Sequence, residues 1–109
     1  MISDSTLYRL KQFIAGYFHE DMDIHGPTWE DVLQAAMDDR TPAELREMAA
    51  ALRQYADDHE DGPELKRLML YELGSCLRTE AVGFTPRQWL YRAAELVREE
   101  ADRRSMARA

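Results

Sequence analysis

Within His19-Glu20-Asp21-Met22-Asp23-Ile24-His25, two imidazoles and three carboxylates fall inside seven positions. Nitrogen and oxygen donors of these kinds suit a divalent ion. One reading is therefore a metal-dependent hydrolase built on His19, Asp21, Asp23 and His25. Hydrolysis would need three fixed ligands, an open position and a base on a second element. The spacing offers no helical i, i+4 ligand pair, since His19 and His25 stand six apart across an expected helix end. The simpler account sets His19 at the core boundary behind Tyr17 and Phe18, with the carboxylates at helix caps or in solvent. That account is preferred, and neither a metal nor a cofactor is expected.

Other chemistry finds less footing. A nucleophilic site needs Ser, Cys or Thr beside a base and an orienting group. Ser75-Cys76 has no neighbouring His, and Thr28, Thr41 and Thr85 each sit where a helix cap is needed. The five glycines are isolated, so no loop cradles phosphate. An enzyme is not expected. A small helical DNA-binding regulator is a further alternative, through Arg87, Arg92, Arg98, Arg103 and Arg104. Glu95, Glu99, Glu100 and Asp102 interleave with those arginines, and pairing along a solvated helix face explains them more simply.

Charge points to protein partners. The net charge is -7, and it is uneven: residues 1–61 hold fourteen acids against five bases, the remainder seven against nine. An acidic half repels phosphate backbones and attracts basic protein surfaces. Two clusters stand out, Glu20, Asp21, Asp23 with His25, and Asp57, Asp58, Glu60, Asp61. If helices one to three pack up and down, both clusters fall at one end of the bundle and form one acidic, partner-binding face. Tyr55, Tyr71 or Tyr91 would serve as aromatic anchors there or elsewhere.

The elements that must carry these groups are helical. Leu7, Leu10, Ile14, Tyr17 and Phe18 repeat at helical spacing behind a cap at Asp4 or Ser5. Thr28 with Asp31 starts a second helix whose face is Trp29, Val32, Leu33, Ala36 and Met37. Thr41-Pro42 with Glu44 starts a third, through Leu45, Met48, Ala49, Leu52, Tyr55 and Ala56, expected to fray at residues 57–61. Gly62-Pro63 opens a fourth through Leu65, Leu68, Met69 and Leu73, closed by a left-handed Gly74. Residues 75–84 read as loop or as a short extension of that helix. Thr85-Pro86 opens a fifth with Trp89, Leu90, Ala93, Leu96 and Val97 inward and a frayed tail over 105–109. No segment alternates with period two. The expectation is an all-α, single-domain bundle of about five helices spanning 1–109.

The chain opens on no charged-then-apolar leader and holds no apolar run of ~18 residues, so no membrane association is expected. Its one cysteine, Cys76, forms no intramolecular disulfide, which fits a reducing cytoplasm. The expected state is a monomer or a weak homo-oligomer.

Several of these residues also carry a likeness. Tyr17-Phe18-His19-Glu20-Asp21, Gly26-Pro27-Thr28-Trp29-Glu30, residues 68–74 and Trp89-Leu90 resemble the contact-dependent growth inhibition immunity proteins of bacteria, over about 7–96. The resemblance implies a cytoplasmic protein that binds and neutralises the C-terminal domain of one cognate toxin. It implies no toxin chemistry. The aromatics are then expected to serve as scaffold, and the acids to make the contact and occlude a basic toxin cleft.

Overall fold

The structure, a computed structural model, describes residues 2–107. Five helices follow one another: α1 (Asp4–Ala15), α2 (Trp29–Asp38), α3 (Pro42–Asp58), α4 (Pro63–Tyr71) and α5 (Pro86–Ala107). Short 3-10 helices lie at Met22–His25 and Thr79–Val82, and no strand occurs among the described residues. The radius of gyration is 13.2 Å.

The threonines start helices as their spacing predicts. Thr28 accepts from the Asp31 N–H and Asp31 returns to the Thr28 backbone; Thr41 and Glu44 do the same for α3. Each such cap contributes roughly 1 kcal/mol by satisfying donors that the first helical turn leaves unpaired. At α1 the cap is Ser3, whose hydroxyl accepts from Thr6 N–H, rather than Asp4 or Ser5. That helix ends at Ala15, so Tyr17 and Phe18 lie in the turn beyond it. Their apolar spacing continues the helical rhythm because the turn also buries Phe18. Gly74 is left-handed at φ +72°, as expected, and a Cβ there would meet the Ala15 side chain at 2.7 Å.

Helices α3 and α5 form the central antiparallel pair. Arg87 at the start of α5 donates to the Ala56 carbonyl near the end of α3, while Arg46 near the start of α3 reaches Asp102 and Ser105. Leu45, Met48, Leu52, Tyr55 and Ala56 meet Trp89, Leu90, Ala93, Val97 and Ala101 in one buried core. Tyr55 is fully buried and donates to Glu72 at 2.7 Å, so it is no surface anchor. Burial, first, and the Glu72 carboxylate push its phenol well above the ordinary value of 10.

The end of α5 is tied down too. The sequence predicts fraying from Ser105, yet α5 runs through Ala107; residues 108 and 109 lie outside the described ones. Glu100, almost buried, pairs with Arg103 and Arg104, and Arg104 also donates to the Arg40 carbonyl. Hydrogen bonding from Arg103, aided by Arg104, holds the Glu100 carboxyl below its ordinary 4.5 against the opposing effect of burial. A lowered folded-state value means stabilisation that is complete above 4.5 and is lost as pH falls through that lowered value. Glu100→Gln should therefore cost about 1 kcal/mol at neutral pH and soften the loss of melting temperature below about pH 4.5. Parallel melting curves for both proteins from pH 7 to 3 check this. The variant should lose less than wild type over the acid range, although Glu44, Asp58 and Glu80, also lowered, keep part of the slope.

Candidate functional site

The connector from Gly16 to Thr28 is folded on its own side chains. Asp21 N–H donates to His19 Nδ1 at 3.1 Å, and the Nε2 atoms of His19 and His25 lie 3.3 Å apart. Because His19 Nδ1 accepts, a neutral His19 carries its proton on Nε2 and donates it to His25 Nε2. The His25 ring also lies against Tyr17, with centroids 5.1 Å apart. The two imidazoles are thus used on one another. Asp21 and Asp23 do not join them: among the described residues no group of three or more His, Cys, Asp or Glu stands where it could hold a metal ion. The hydrolase alternative loses its ligand set.

The two acidic clusters differ in what they do inside the fold. Glu20, Asp21 and Asp23 are exposed, and none enters an ion pair among the described residues. The second cluster is spoken for. Asp57 accepts from the Tyr91 hydroxyl. Asp58 accepts from Gln54 at 2.7 Å and from Ile2 N–H at 3.3 Å. Asp61 accepts from the Thr85 hydroxyl and from Arg87 N–H, and so helps to cap α5. Glu60 alone of the four has no such bond among the described residues. The carboxylates at 57 and 58 also explain why α3 holds to Asp58 where acids oppose its dipole: their partners come from α5 and from the start of the chain.

The turn after α1 and the end of α3 both pack on the first turns of α5. Phe18 and Trp29 pack on Trp89, and Asp57 and Asp61 bond to the first turns of α5. The expected shared end for the two acidic clusters does not follow from consecutive up-down packing, because α1 starts beside Asp58 and runs back along α3, with Arg9 on Glu47 and Arg40 over Phe13. The 75–84 segment also belongs to the end where α5 begins. Cys76 N–H donates to the Phe18 carbonyl at 2.7 Å, Phe84 stacks edge-on against Trp29, and Lys66 pairs with Glu80. It is a loop holding one 3-10 turn, and no extension of α4.

Four of the five arginines of α5 are likewise engaged, Arg98 being the exception among the described residues. Arg87 bonds to Ala56, Arg92 to Glu95, and Arg103 and Arg104 to Glu100. Arg87 and Arg53 also lie over the Tyr91 ring, leaving that tyrosine half-buried; Tyr71 is the exposed one.

A further stretch of the candidate acidic surface is legible in the sequence but overshadowed there by the loop clusters. From residue 12 to residue 39 there is no Lys or Arg, while Glu20, Asp21, Asp23, Glu30, Asp31, Asp38 and Asp39 are all acids. In the structure this run places Glu30, Asp31, Gln34 and Asp38 on the exposed side of α2, continuing the negative surface of the connector. Dense acids in a loop are conspicuous; the absence of counter-charge on a whole helix is the stronger signal.

A family model described as CdiI immunity protein matches residues 7–97. No curated protein and no solved structure matches the chain.

Proposed function

Because the chain belongs to the CdiI immunity protein family, we propose that it binds the C-terminal domain of its cognate toxin in the cytoplasm and neutralises it by occupying the toxin's cleft. The match across residues 7–97 carries the immunity reading. The acidic mode of contact is supported by carboxylates that no internal cation compensates, at Glu20, Asp21 and Asp23. On this reading the protein acts stoichiometrically, as a monomer or weak homo-oligomer, and turns over no substrate. A basic toxin domain approaching that surface is steered by the long-range field before any short-range contact forms.

The test uses the cognate toxin domain, with stopped-flow association measured from low to high salt. Wild type should associate fast at low salt and slow steeply as salt rises. The triple change Glu20→Lys, Asp21→Lys, Asp23→Lys should slow association about 10–100-fold at low salt and flatten that dependence. Glu60→Lys, at the other cluster, should change the rate far less. An association rate indifferent both to salt and to the triple change would remove the acidic surface while leaving immunity in place.

A further inference from the structure

A cleft of about 390 Å³ opens between the Met22–His25 turn, the start of α2 and the 75–84 segment. Its apolar lining comes from Met22, Trp29, Val32, Leu77 and Val82. Trp29 and Val32 are buried residues of the core whose outer surfaces form one wall. Two carboxylates, Asp23 and Glu30, also line it, and both are exposed. Neither takes part in an ion pair or a side-chain hydrogen bond among the described residues. Several other exposed acids are engaged by cations: Glu47 holds Arg9, Glu80 holds Lys66, Glu95 holds Arg92 and Asp102 holds Arg46. The cation nearest in sequence to Leu77 is Arg78, and it lines a different cleft against α4.

An apolar wall with uncompensated carboxylates has a definite complement. A lysine or arginine side chain is an aliphatic stem with a cationic head, and it buries the stem while keeping the head among acids or water. An indole in the wall adds attraction for a cation over its face. Such anchors, arginine above all, dominate the energetics of protein interfaces when seated in a pocket. We propose that this cleft receives one lysine or arginine side chain of the toxin domain, its stem against Trp29 and Val82 and its head on Asp23 and Glu30. The docking face is then the connector and α2, not the end of α3. The inference rests on the toxin-binding reading above and adds the seat and the chemistry of its occupant.

Calorimetric titration of the cognate toxin domain into purified variants tests it, with circular dichroism confirming the fold of each. The pair Asp23→Asn with Glu30→Gln removes the charge and keeps the shape; it should raise the dissociation constant about 100-fold. Val82→Lys, at a partly exposed position, supplies the cleft with a cation of this chain's own and should weaken binding at least ~10-fold. Glu60→Gln should bind as wild type does. If wild type binds and both cleft variants match it within about twofold, the cleft proposal falls and the immunity reading stands. If Val82→Lys weakens binding while the charge-neutral pair does not, the occupant is apolar and the cationic assignment is overturned. If wild type itself fails to bind the toxin domain, both readings fall together.

Discussion

Replacing Trp89 by alanine is expected to lower the free energy of unfolding by about 3–5 kcal/mol, at the top of the range for truncating one buried side chain. The side chain is fully buried. Its ring meets Phe18 at 5.3 Å and 82°, and Trp29 at 5.6 Å and 64°; Trp29 in turn meets Phe84 at 5.8 Å and 90°. Edge-to-face pairs of this kind add stabilisation beyond the area they bury. These four rings join the turn after α1, the start of α2, the 75–84 segment and the start of α5, which are the elements that shape the candidate site. The indole N–H finds no acceptor among the described residues, so its removal strands no partner, and the whole loss is one of packing. Trp89→Phe should accordingly cost much less, since it retains a ring and removes an unpaired donor. Urea denaturation of the three proteins measures the order. A small protein has only about 5–15 kcal/mol to lose, so the alanine variant should also fail to protect cells at 37 °C. A loss under about 1 kcal/mol would show that the aromatic cluster does not hold this end together.

Gly26→Ala should be among the most damaging changes within the connector itself. Gly26 adopts φ +142° and ψ +165°, a region that essentially only glycine occupies. An added Cβ would stand 2.4 Å from the Asp31 Cβ, on the residue that closes the capping box of α2. Backbone strain and that clash together predict a loss of about 2–4 kcal/mol. For a domain of this size the melting temperature should fall by roughly 10 °C or more. Toxin affinity should fall as well, because Pro27, Thr28 and Glu30 are positioned by the same turn. Thermal melting monitored by circular dichroism, followed by titration below the melting point, separates the two effects. An unchanged melting temperature would mean that the backbone at residue 26 relaxes without cost.

Most of the architecture is legible because its punctuation is local. Thr28, Thr41-Pro42 and Thr85-Pro86 announce α2, α3 and α5 within three residues of where each begins, and Gly62-Pro63 does so for α4. What escapes depends on partners far along the chain. Asp57 and Asp61 read as a free acidic patch because nothing near them in sequence hints at Tyr91 and Arg87, 34 and 26 residues on. Tyr55 sits on the inward face of α3 by spacing, but its candidacy as an anchor ends only with Glu72, 17 residues away. Periodicity misplaces the end of α1 for the opposite reason: it registers burial, and Phe18 is buried without being helical. The cleft between Met22 and Val82 joins segments some sixty positions apart, and no pattern within either segment foretells it.

The two acidic groups are unequally employed inside the fold. Asp57, Asp58 and Asp61 fasten α3 to the first turns of α5 and to the head of the chain, so altering them disturbs the scaffold. Glu20, Asp21, Asp23 and Glu30 fasten nothing internal. If that edge makes the toxin contact, as proposed, substitutions along it are expected to alter partner choice while the molecule goes on folding as before.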